Sequence, residues 1–154
     1  MRVLIDNRQR KIDIDEEIES AINKAIRTCL QIEKRSLNYE VSISFVDNDE
    51  IQSLNKEYRN LDKPTDVLSF PLDDYDHNTD HYILGDIVIS TDKAIEQAMD
   101  FGHSILREII YLTVHSMFHL LGYDHMNDED KQIMREKEKS ALREIGIFRT
   151  GEGD

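Results

Sequence analysis

The sequence predicts an α+β domain, with a small mixed sheet of four short strands packed against about five helices. Three observations carry this expectation. Apolar residues repeat at three and four positions in some stretches and alternate strictly in others, so both periods are present. The two kinds of segment do not alternate in the regular order of a doubly wound sheet. One long stretch, Ser104 to Leu121, is apolar on almost every side, as expected of a buried central helix.

The elements follow in order. Arg2 to Asp6 is rich in Val, Leu and Ile and reads as a first strand, closed by the polar turn Asn7 to Lys11. From Asp15 the residues Ile18, Ala21, Ile22, Ala25, Ile26, Cys29 and Leu30 form one helical stripe, with Asp13 or Asp15 available as N-cap. Glu40 to Val46 alternates, with Val41, Ile43 and Phe45 on the face expected to meet the core. Asp47 and Glu50 have the spacing of a capping box, and Ile51, Leu54, Tyr58 and Leu61 continue at helical period. After a polar turn from Asp62 to Asp66, Val67 to Phe70 reads as a brief strand.

The acidic stretch Asp73 to His81 reads as a loop, a flap or a simple connector, and the spacing of His77 and His81 suits no helix face. Ile83 to Ser90 is the fourth strand, in which Gly85 marks a bulge or a close backbone approach. Ser90, Thr91 and Asp92 can each cap a helix that reaches Phe101 and breaks at Gly102. Asn127 caps a last helix with Ile133, Met134, Ala141, Leu142 and Ile145 on its buried stripe, and residues 149–154 are expected to fray.

The strongest chemical signal is V-H-S-M-F-H-L-L-G-Y-D-H-M-N, from Val114 to Asn127. His115 and His119 are four apart, so a helix puts both imidazoles on one face, one turn above the other. Gly122 can take a left-handed conformation and end that helix, letting the chain turn back so that His125 approaches the same point. Three imidazoles suit one Zn2+ per chain and leave its fourth tetrahedral position open, as in catalytic rather than structural sites. Buried neutral imidazoles need partners at both ring nitrogens, so residues around the ligands must satisfy the second one.

The spacing HxxxHxxGxxH resembles that of the metzincin peptidases, except that Ser116 stands where those enzymes carry their general-base glutamate. The fuller string HSMFHLLGYDH resembles the HGxLHLxGYDH signature of the YbeY family, from which Ser116 and Phe118 depart at positions that are not ligands. A second stretch, Leu54 to Pro71, is similar to the same family's LNxxYRxxDxPTDVLSFP, matching at Leu54, Asn55, Tyr58, Arg59, Asp62, Pro64, Thr65, Asp66 and Val67 to Pro71.

The resemblance implies a zincin-like fold and a metal-dependent endoribonuclease acting on single-stranded RNA, with ribosomal RNA as substrate and the ribosome or its proteins as partners. It also implies that Arg59 lies in the catalytic cleft, where the guanidinium fork suits a phosphate. Two other readings stand beside it. One is a zinc metallopeptidase, opposed by the missing glutamate; the other is a ribosome-assembly factor in which the metal only fixes the His125 turn.

Composition limits these readings. At 154 residues one domain spanning 1–154 is expected, with enough chain to bury a core without staples. The single cysteine, Cys29, excludes an intramolecular disulfide and leaves metal binding to imidazole and carboxylate. No apolar run is long enough for a membrane span, and the charged N-terminus is unlike a signal peptide, so a cytoplasmic protein with no membrane partner is expected. There is no internal repeat, linker or glycine-rich phosphate loop. The net charge of −13 would repel nucleic acid, and an RNA substrate therefore requires cations gathered locally, with Lys56, Arg59 and Lys63 expected to supply them, or a guiding partner.

Overall fold

A computed structural model describes residues 1–146, so the tail expected at 149–154 lies outside the described residues. The order is β1 (Arg2–Asn7), α1 (Glu16–Ile32), β2 (Tyr39–Val46), α2 (Asn48–Arg59), β3 (Val67–Asp76), β4 (His81–Ser90), α3 (Thr91–Phe101), α4 (Ile105–Leu120) and α5 (Asp128–Ile145). The four strands form one mixed sheet in the order β1-β2-β4-β3. β2 runs parallel to both β1 and β4, and β3 pairs antiparallel with β4 at the sheet edge. The expected α+β class holds. None of the described helices is long and apolar enough to cross a membrane.

Local chemistry sets the helix starts. Asp15 accepts from the Ile18 N–H, Asp47 from Glu50, Ser90 from Lys93, Ser104 from Arg107 and Asn127 from Asp130. Each bond satisfies an amide that the first turn leaves without a partner.

The sheet is buried unequally on its two faces because successive side chains on a strand point to opposite sides. Val41, Ile43 and Phe45 of β2 and Ile87 and Ile89 of β4 join the main core with α1, α4 and α5. On the other face, Val46, Leu68 and Val88 meet Ile51 of α2 in a smaller cluster. α2 is therefore held on the opposite side of the sheet from α4, but its C-terminal end reaches the same sheet edge. Ile133, expected on the buried stripe of the last helix, is exposed instead, as are Tyr58 and Leu61, which continue the helical period of α2. They lie at or just past the end of α2 and near the start of α5, where no further layer covers them.

The stretch expected as a loop from Asp73 to His81 is mostly strand. β3 continues to Asp76 and β4 starts at His81, giving a long hairpin with a register shift between Pro71 and Asp74. Rings support its far end: Tyr82 lies 4.9 Å from Tyr75 and 5.8 Å from Tyr39, centroid to centroid. His81 bonds the Thr79 carbonyl and His77 meets the Tyr75 ring, so both histidines serve the hairpin.

Gly85 stands opposite Pro71 in this hairpin. A Cβ there would intrude on the Phe70 carbonyl oxygen and lie 2.7 Å from Leu120 Cδ2. The close approach expected at this glycine is thus real, and it joins the hairpin to the C-terminal turn of α4. Gly85→Ala should destabilise the protein by about 3 kcal/mol, the upper end for overpacking a tight site, read from the denaturant midpoint; an unchanged midpoint would show that this junction is loose.

Candidate metal centre

α4 is a core helix with one opening. From Glu108 to Leu121 every residue is buried except Tyr111, His115 and His119, which are four apart and form a single half-exposed stripe. The flanking Ile109, Ile110, Leu112, Val114, Met117 and Phe118 are fully or almost fully buried and fix the helix in rotation. Ser116, at the position of the peptidase glutamate, is among the buried residues, and its hydroxyl has no hydrogen-bond partner. It points into the core and cannot act in the cleft.

The end of α4 builds the rest of the site. Gly122 has φ +103°, the left-handed region expected of it. The Gly122 N–H donates to the His119 carbonyl (3.1 Å) and the Tyr123 N–H to that of Phe118 (2.9 Å). This is a Schellman ending, and the accompanying apolar contact is present as Phe118 and Tyr123 rings at 5.9 Å, nearly perpendicular. Asp124 Oδ1 then accepts from the Met126 N–H (3.2 Å) and tightens the turn that carries His125 back. The His125 ring comes to 5.0 Å from that of His119 and 6.0 Å from that of His115. One ligand atom from each of the three rings falls within 4.8 Å of the others.

The hydrogen bonds at Nδ1 decide what the other ring atoms can do. His119 Nδ1 lies 3.0 Å from the Tyr123 carbonyl oxygen, which can only accept, so this nitrogen carries the hydrogen. His115 Nδ1 lies 2.9 Å from Glu138 Oε2 and donates to the carboxylate in the same way. In the neutral rings, both Nε2 atoms are then bare lone pairs, and they face each other at 3.2 Å. Burial and the neighbouring His115 and His125 hold the His119 pKa below its ordinary value, which favours this neutral form. Two lone pairs in contact repel, and a cation between them and His125 turns repulsion into coordination. The residues therefore fit a divalent cation, and a nitrogen-only set is a good match for zinc.

Glu138 is the part of the site that sequence reasoning missed. It is buried on α5, its Oε1 lies 3.5 Å from the Tyr111 hydroxyl, and its other oxygen orients His115. A signal existed: Met134, Glu138, Ala141, Leu142 and Ile145 make one buried stripe, and a carboxylate in such a stripe needs a partner. Tyr123, which supplies the carbonyl for His119, is in turn held by its hydroxyl to Glu33, whose carboxylate pairs with Lys137 at 2.9 Å.

The cleft beside the histidines is a hollow of about 690 Å³. His115, His119 and His125 line one side, Arg59 and residues 65–69 the other, and Asp66 and Asp124 are its carboxylates. Arg59 is the last residue of α2, which ends at Asn60 in a left-handed conformation. Its Nη2 donates to the Ser69 carbonyl (2.8 Å), and its guanidinium lies 5.6 Å from the centre of the Phe70 ring. The following loop is clamped to α2 by Asn55, which donates to the Lys63 carbonyl at 3.0 Å. Thus the structure brings together all four residues singled out in the sequence. Of the expected positive patch, Arg59 alone lines the cleft, while Lys56 turns to Asp62 at 3.8 Å.

Known proteins resemble this chain along almost its whole length. Residues 4–146 match the family model described as YbeY, endoribonuclease YbeY. The chain is 57% identical to endoribonuclease YbeY of Finegoldia magna, with 99% of each chain covered. It is 50% identical to that of Thermoanaerobacter sp. strain X514, over 97% of this chain and all of the relative. Among solved structures, the solution structure of TM1509 from Thermotoga maritima superposes with a TM-score of 0.63 at 28% identity, covering 93% of this chain and 88% of that one.

The Glu138 contact gives a specific expectation. Glu138→Gln keeps the shape but weakens the hold on the His115 N–H, and divalent-metal affinity should fall by about 10- to 100-fold while the fold persists. Competition with a chromophoric chelator measures this. Wild-type affinity in the variant would mean that the Glu138 contact does not tune the ligand.

Proposed function

Since the chain belongs to the YbeY endoribonuclease family, we propose that it is a metal-dependent hydrolase of phosphodiester bonds in single-stranded RNA, working as one domain over residues 1–154. Ribosomal RNA is the substrate, the ribosome or its proteins the partner, and the cytoplasm the place of action. His115, His119 and His125 hold one Zn2+, and Arg59 is the catalytic cation opposite them. The observation that carries this reading is the pair of Nε2 lone pairs at 3.2 Å in the same cleft as an arginine.

When bound, the metal supplies Lewis acidity toward a phosphoryl oxygen or water. The rest is done by the chain. Glu138 and the Tyr123 carbonyl fix the ring nitrogens that face the cleft. Arg59 spends one donor on Ser69 and keeps the others of its fork for phosphate oxygens, where charge develops as the bond breaks. The Ser69 bond and the Phe70 face hold that fork in place before substrate arrives. A planar fork also explains why arginine rather than lysine serves here.

The peptidase reading loses its chemistry at Ser116, which is buried and carries no acid or base into the cleft. A purely structural metal would not call for an arginine held in the same hollow.

Arg59→Glu tests the proposal. The residue is exposed, so stability should change by no more than about 1 kcal/mol, and metal content should be normal. Cleavage of single-stranded RNA should fall by at least roughly 100-fold, as on loss of a transition-state donor. Arg59→Lys should recover only part of it. Equal rates in wild type and Arg59→Glu would remove Arg59 from the mechanism.

A further inference from the structure

A second hollow, of about 320 Å³, adjoins the histidines. Its walls are Tyr111, His115, His125, Lys131, Met134, Arg135 and Glu138. His115 and His125 also line the Arg59 cleft, so the two hollows meet at the metal ligands. Arg59 does not reach the second one. Its cations are Lys131 and Arg135, one turn apart on the same face of α5.

These two cations stand beside the metal ligands in a chain that is strongly acidic. Acids outnumber Lys and Arg by 32 to 19, and several cations are taken up by carboxylates, as in Lys56 with Asp62, Lys93 with Glu96 and Lys137 with Glu33. Lys131 and Arg135 are exposed, and among the described residues neither joins an ion pair. The carboxylate that lines the hollow, Glu138, is committed to His115. Like charges one turn apart repel each other. An anion lying between them and the ligands would reverse the sign of that repulsion.

We propose that Lys131 and Arg135 form a phosphate-binding subsite for the RNA strand on the far side of the metal ligands from Arg59. The strand would cross the histidines with one backbone phosphate at Arg59 and the metal and a neighbouring one over α5. This rests on the nuclease reading for its substrate and adds the path that the substrate takes. It also answers the charge problem locally: cations stand at both ends of the path, although the protein as a whole is strongly acidic. A path held through phosphates carries little sequence preference and a strong dependence on salt.

The experiment is binding of a single-stranded RNA oligonucleotide to the metal-loaded protein across a salt series, with KM and kcat for its cleavage measured in parallel. The Lys131→Glu/Arg135→Glu variant is compared with wild type. Arg10→Glu/Arg27→Glu, which makes the same change in net charge at exposed positions outside both hollows, is the control. The subsite predicts affinity at least about tenfold lower in the first variant, and a plot of log affinity against log salt shallower by about 0.7 for each phosphate no longer neutralised. KM should rise much more than kcat falls, metal content should stay normal, and the control should keep the wild-type slope. An unchanged slope in the α5 variant, or an equal change in the control, would overturn the subsite even if cleavage is robust. Wild-type protein that binds RNA with the predicted slopes but cuts nothing would defeat the nuclease reading and leave the subsite standing. Failure of the wild type to bind RNA at all would defeat both.

Discussion

Two imidazole lone pairs held 3.2 Å apart on the one open stripe of a buried helix are the constraint around which this molecule is built. Left alone they repel, and the protein makes no provision for separating them. Both rings are fixed by hydrogen bonds at Nδ1, one to a buried carboxylate and one to a backbone carbonyl. The helix that carries them cannot turn, because nearly every other residue from Glu108 to Leu121 is packed in the core. Rigidity of this kind lowers the cost of organising a metal site at the moment of binding, since the ligands are in place beforehand.

The parts of the fold can be ordered by their relation to that pair. α1 and α5 bury the back of α4, and α5 also supplies Glu138. The Schellman turn at Gly122 performs two tasks at once: it ends α4 and presents the Tyr123 carbonyl to His119. The sheet brings the opposite wall. β3 and β4 meet the end of α4 at Gly85, where no side chain would fit, and β3 carries the Ser69 carbonyl and Phe70 ring that hold Arg59. α2, on the other face of the sheet, delivers that arginine from its last turn. Two layers that share few residues thus converge on one cleft.

Much of this was legible in the sequence because it rests on local rules. Caps at Asp15, Asp47, Ser90 and Asn127, the alternation through Phe45 and the helix ending at Gly122 depend on neighbours only a few residues away. The histidine spacing is of the same kind. What escaped depends on residues distant in the chain. The hairpin through Asp76 and His81 is acidic and turn-rich, and its extension goes with the contacts of Tyr82 with Tyr75 and Tyr39, which are distant in sequence or lie across the strand pair. Tyr58 and Ile133 follow helical period yet have no layer to cover them. Glu138 lies 23 residues beyond the histidine it orients, on a stripe whose other members are apolar. Arg59 is a different case, since a helix-end arginine is common, and its place in the cleft followed from a motif rather than from a local rule.

The chemistry proposed for this chain depends above all on His115, His119 and His125 holding one divalent ion. An anomalous-difference map from crystals of the metal-loaded protein, recorded at the absorption edge of the bound element, tests it most directly. A single peak per chain is expected, about 2 Å from one nitrogen of each of the three rings, with the Nδ1 atoms of His115 and His119 still turned to Glu138 and Tyr123. A protein that retains its metal but shows the peak elsewhere, or shows no density between the rings, would contradict it.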